Sequence, residues 1–168
     1  AAKRQVPDAV LDIIRLLPKD GHPMDALQAC VSALGMFNED NRAWKDSAKA
    51  HDMCLELVAV MPTLTAAFDR VRRGLDIIAP DPALSTAANF LYMVNGEVPD
   101  ELAAKVLDVA LILHADHTMN ASTFTARVVA SSESDPYSVI SAAIGSLSGP
   151  LHGGANERVL DSLAEIPS

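Results

Sequence analysis

Three of the five histidines fall where polar groups gather in an otherwise apolar chain. His114 and His117 stand in His-Ala-Asp-His, with Asn120 and Ser122 close behind. Three residues apart, the two imidazoles share a face if the helix carrying them continues. One reading is a polar helix C-terminus, where the negative end of the dipole favours histidine. Another is a pocket built where an apolar helix stops. A third is zinc, but a zinc enzyme usually needs a third ligand and a carboxylate base. His22, His51, Cys30 and Cys54 are all remote in sequence, so no metal is expected.

The second place is Gly149-Pro-Leu-His-Gly-Gly-Ala-Asn156. His152 is held between a Gly-Pro turn and a glycine pair, just where a helix is expected to begin. The glycines let backbone approach a ligand closely. A helix N-terminus disfavours imidazolium, so a neutral His152 can offer an N–H to an oxygen on which enolate charge develops. A turn histidine without function fits the spacing equally well.

The elements that must position these residues read as helices. Val6, Val10, Leu11, Ile14 and Leu17 form one apolar stripe, ended by Pro18. His22-Pro23 opens a second helix, through about Met36, with Pro23 suited to its first turn. Trp44 to Arg72 reads as a long helix that Pro62 should break or kink. Gly74 to Pro82 is a loop, Ser85 caps the next helix, and Asn95-Gly96 ends it. Asp100 to His114 carries Leu102, Val106, Val109 and Leu113 on one stripe. Met119 to Ser131, Pro136 to Ser146 and Gly153 to Ala164 complete about eight helices in an all-α chain without strands, repeats or linker.

Composition agrees. Apolar residues make up 49% and aromatics only 4%, so the core is Ala, Leu, Val and Ile, suited to close helix packing. A net charge of −9 argues against a nucleic-acid partner, which needs clustered Lys and Arg. No apolar run approaches the roughly 20 residues that cross a bilayer, so no membrane partner is expected and the chain reads as soluble and cytoplasmic. Both cysteines read as buried, reduced thiols. Ala1-Ala-Lys-Arg-Gln has no initiator Met and reads like the middle of a longer protein.

Together, Leu113 to Arg127 (Leu-His-Ala-Asp-His-Thr-Met-Asn-Ala-Ser-Thr-Phe-Thr-Ala-Arg) and Gly149 to Asn156 closely resemble bacterial citrate synthases. His22-Pro-Met24, Ile78-Ala-Pro and Asn89-Phe-Leu-Tyr-Met93 fit the same family. The resemblance implies that residues 1–168 are part of the helical large domain of that fold, with the small domain absent. It implies an acyltransferase of the tricarboxylic acid cycle that joins acetyl-CoA to oxaloacetate and hydrolyses the thioester to citrate and CoA. No resident cofactor is implied, since acetyl-CoA is a substrate. By the same resemblance His117 binds oxaloacetate with Asn120 beside it, His152 donates to the thioester carbonyl, Ser122 orients His152, and His114 has a supporting role. A homodimer is expected, possible higher assembly into hexamers included.

Thr118 departs from the motif, where an acidic residue is common, and a local adjustment without loss of chemistry is expected there. The family's second catalytic histidine, aspartate base, substrate-binding arginines and CoA-binding domain are not matched in these residues, so no turnover is expected of them alone. Two alternatives stay open: a 2-methylcitrate synthase using propionyl-CoA, and a non-catalytic helical assembly module.

Overall fold

The structure, a computed structural model, describes residues 2–115, 118–154, 158, 162, 164 and 165. Among these there are seven α-helices and no strand: α1 (Asp8–Leu16), α2 (Pro23–Leu34), α3 (Ser47–Arg72), α4 (Thr86–Asn95), α5 (Glu101–Ala115), α6 (Ala121–Ala130) and α7 (Pro136–Leu147). The all-α expectation therefore holds. Most of the helix expected from Gly153 to Ala164 lies outside the described residues.

Local chemistry sets most of the boundaries. His22 accepts the Met24 N–H through Nδ1, and Pro23 follows at the first position of α2, where its missing N–H costs nothing. Asp46 accepts from Ala48 and Lys49, so α3 starts at Ser47 and not at Trp44. Ser85 caps α4, and Gly96, at φ 91°, takes the left-handed conformation that closes it. Asn120 and Asp135 cap α6 and α7.

Pro62 does not break α3, which runs unbroken over 26 residues. Buried Met53, Leu57 and Val60 hold the helix on one side of the proline, and Leu64, Ala67 and Phe68 hold it on the other. The Val58 carbonyl, deprived of its usual donor, belongs to an exposed residue where water can replace it. Packing outweighs the local penalty.

Val10 and Ile14 of α1 and Cys30, Val31 and Leu34 of α2 pack with α3, and α7 adds Tyr137 and Ile144 to the same core. At Gly145 α7 passes close to the Gln28 side chain of α2: a Cβ there would lie 2.6 Å from the Gln28 amide nitrogen, the movable end of that side chain. Ser141 ties the two helices, donating to the Gln28 carbonyl at 3.1 Å. The Gly74 to Pro82 segment is a loop as expected, but a pinned one: Arg4 reaches the carbonyls of Asp81 and Leu84, and Asn89 accepts from the Asp81 N–H.

α5 and α6 bury no residue at all. The Leu102, Val106, Val109 and Leu113 stripe is present but lies exposed, with Leu102 at 71% and Leu113 at 70% of full accessibility. Phe124 and Val128 of α6 are exposed as well. Cys30 is buried as expected, whereas Cys54 is exposed on α3, facing away from the core that Met53 and Leu57 enter.

Candidate functional site

α6 and α7 pack side by side, joined by the short 131–135 turn, in which Glu133 has φ 62° and pairs with Lys45 at 2.7 Å. Two helices joined this tightly run back along one another. The N-terminus of α6 and the C-terminus of α7 thus come to the same end. Ser122 sits in the first turn of α6, and His152 lies five residues past the end of α7. Their side chains meet: Ser122 Oγ is 2.8 Å from His152 Nε2. Both residues are half-buried.

The turn carrying His152 is closed by backbone bonds. The His152 N–H donates to Gly149 at 2.9 Å, and the Gly153 N–H reaches back to the Leu147 carbonyl at 2.9 Å. Ser148 caps the helix end by donating to Gly145. The serine bond admits two tautomers. If Nε2 carries the proton, Ser122 accepts. If Ser122 donates, Nε2 is the acceptor and the ring proton sits on Nδ1. In the second arrangement the ring is neutral and still has an N–H to offer.

The other expected site residues are placed less uniformly. Asn120 uses its side-chain oxygen to accept the Thr123 N–H at 2.8 Å, capping α6. An Asn standing before Ala-Ser-Thr is an N-cap pattern, so this structural task has a local signal of its own beside the pocket role that the family resemblance implies. His114 turns back on its own helix, with Nδ1 2.7 Å from the Ala110 carbonyl. A carbonyl can only accept, so Nδ1 carries the proton, and His114 behaves as the polar helix end that its position alone suggests. His117 and Asp116 lie outside the described residues, as does Asn156. Described α5 ends at Ala115, so the shared face expected for His114 and His117 is not part of what the structure describes.

Groups with perturbed acidity cluster at the opposite end of α7. Burial raises the Tyr137 phenol well above its ordinary value, and the hydrogen bond to Glu56 adds to the effect. At Asp135 burial opposes the charge, but the Ser138 N–H and hydroxyl, the Arg42 guanidinium and the Tyr137 N–H outweigh it and hold the carboxyl low. These groups anchor the helix whose far end presents His152.

Comparison with known proteins converges on one family. The family model described as citrate synthase, C-terminal domain, matches residues 1–168. The citrate synthase of Synechocystis sp. is 51% identical over 98% of the chain and 41% of its own length. The 2-methylcitrate synthase of Mycobacterium tuberculosis is 44% identical over 98% of the chain and 41% of its own length. The crystal structure of citrate synthase from Pyrobaculum aerophilum superimposes with a TM-score of 0.91 at 44% identity, covering 99% of the chain and 44% of that structure. The chain thus spans less than half the length of these relatives. With a match along its whole length and a fold shared so closely, the chain belongs to the citrate synthase family.

Proposed function

We propose that the protein to which these residues belong condenses acetyl-CoA with oxaloacetate and water, giving citrate and CoA. The observation that carries this reading is the 2.8 Å contact between Ser122 and His152, where the N-terminus of α6 meets the turn after α7, on a chain of this family. The difficulty of the reaction is a weakly acidic methyl group. A fixed neutral donor on the thioester oxygen stabilises the enolate as the proton leaves. Ser122, donating to Nε2, would hold His152 in the tautomer that keeps its proton on Nδ1 for this purpose. His117 and Asn120 bind oxaloacetate in this reading, and His114 supports the segment from the end of α5.

Residues 1–168 are part of the large domain, and the carboxylate base and CoA-binding parts lie outside them. Acetyl-CoA enters as substrate and no resident cofactor is required. The protein acts in the tricarboxylic acid cycle and in the cytoplasm; among the described residues no helix is long and apolar enough to cross a membrane. The exposed apolar faces of α5 and α6 support a homodimer assembled through them, open to larger assembly.

The test is turnover by the complete polypeptide. His152→Ala should lower kcat by about 100-fold or more while leaving KM for oxaloacetate little changed. Undiminished turnover would remove His152 from the mechanism. Residues 1–168 alone should form no citrate. A 44%-identical relative named 2-methylcitrate synthase supports a second reading in which propionyl-CoA is the preferred acyl donor. Comparing kcat/KM for the two thioesters decides between them.

A further inference from the structure

We infer that Gly153 is a positioning residue for His152, and that of the two adjacent glycines it alone has this task. Leu147 ends α7, so its carbonyl has lost the helical donor it would otherwise accept. The Gly153 N–H supplies the replacement at 2.9 Å, closing a ring of backbone that contains His152. Gly153 does not have a positive φ, so backbone conformation is not why a glycine stands there. Space is. A Cβ at 153 would overlap the Leu147 carbonyl oxygen and lie 3.3 Å from the carbonyl carbon. That obstacle is backbone at the end of a core-packed helix and cannot swing aside as a long side chain could. Gly154 is different, because among the described residues a Cβ there would meet nothing closer than Pro150 Cβ at 3.8 Å.

Any side chain at 153 therefore forces the closing bond apart and shifts the residue before it. His152 is held at its other side by its N–H bond to Gly149, so the displacement falls on the ring and its contact with Ser122. A misplacement of about 1 Å at a reacting group can lower a rate roughly 100-fold. The catalytic part of this inference rests on the role proposed above for His152, whereas the geometric part does not.

The complete polypeptide, carrying 15N-histidine, is compared with Gly153→Ala, Gly154→Ala, Ser122→Ala and the Ser122→Ala/Gly153→Ala pair, with His152→Gln assigning the ring signal. Gly153→Ala should move the His152 Nε2 resonance in the direction that Ser122→Ala moves it, and Gly154→Ala should leave it in place. In turnover, Gly153→Ala should lower kcat by about tenfold or more, with KM for oxaloacetate within about twofold. In the Ser122→Ala background it should cost less than about twofold further, because the two changes act through one contact. An unmoved ring signal in Gly153→Ala, equal effects at 153 and 154, or additive losses in the pair would each overturn the inference. Should Gly153→Ala fail to fold, amide exchange at Gly153 in the unaltered protein decides, since an unprotected amide means the Leu147 bond is not made. If the unaltered protein forms no citrate, the proposed function falls, and the ring signal still decides the role of Gly153.

Discussion

Tyr137 donates its phenolic hydrogen to Glu56 at 2.9 Å while its ring lies against Gly35, where a Cβ would come within 2.9 Å of Tyr137 Cβ. One buried side chain thereby ties α7 to α3 and to the turn that follows α2. Asn38 completes the knot, donating to Glu56 at 2.9 Å and to the Tyr137 oxygen at 2.6 Å. Gly35→Ala would drive a methyl group into the ring and should destabilise the fold by about 1–3 kcal/mol. Urea denaturation followed by circular dichroism measures it; an unchanged midpoint would mean that the turn relaxes at no expense.

The same tyrosine sets an alkaline limit. Its phenol is held protonated in the folded state, with a pKa above the unfolded value of about 10. A group whose folded pKa is raised contributes stability that is complete below the unfolded pKa and is lost as pH rises beyond it. Stability should therefore fall above about pH 10, and Tyr137→Phe should flatten that fall. At neutral pH the variant should lose about 1 kcal/mol, since Asn38 and Glu56 still satisfy one another. Melting temperature against pH for both proteins checks the sign.

Asp135 sets the acid limit. Its carboxyl is held low, so it contributes stability above the unfolded pKa of about 3.9, lost as pH falls through the folded value. Asn also caps helices, so Asp135→Asn should keep most of α7 at neutral pH while removing this acid dependence. Asp135→Ala should lose the cap as well, about 1–2 kcal/mol at pH 7. Equal melting temperatures for the two variants at neutral pH would show that the cap bond to Ser138 does not matter.

The two thiols should separate by rate. Burial pushes the Cys30 thiol up to about 11, while Cys54 stands exposed. A thiol reagent at pH 8 should modify Cys54 quickly and Cys30 only as the protein unfolds. Peptide mapping after labelling should find Cys54 modified in native buffer and Cys30 modified only in denaturant. Rapid labelling of Cys30 without denaturant would contradict the packing of α2 against α3.

Helices whose ends are fixed by nearby residues were legible from sequence. The Ser85 cap and the Gly96 stop of α4 needed only local chemistry. That α3 runs through Pro62 without a break was not legible, because the residues that hold it together act on core partners far away in sequence, and a local breaker is weighed against packing that no window shows. Cys54 misled for a similar reason: a thiol next to Met53 reads as core until the helix face is known. The pairing of Ser122 with His152 spans 30 residues, so spacing could not reveal it, and the family resemblance alone suggested it. The bond from Gly153 to Leu147 was hidden because a glycine pair beside a histidine reads as backbone making room for a ligand, whereas the first of the two makes room for the carbonyl that ends α7.

The two halves of the Ser122–His152 pair do not rest on equally firm ground. His152 follows a helix that sends Tyr137 and Ile144 into the core, while Ser122 rides on α6, which buries nothing in the single chain. Amides of α6 should exchange with solvent well before those of α7, since opening energies follow buried contact. Whatever comes to cover α6 therefore decides how long the pair stays closed. If that cover is a second copy, dilution alone will loosen the serine first, and the histidine will lose its orientation before the helix that carries it unfolds.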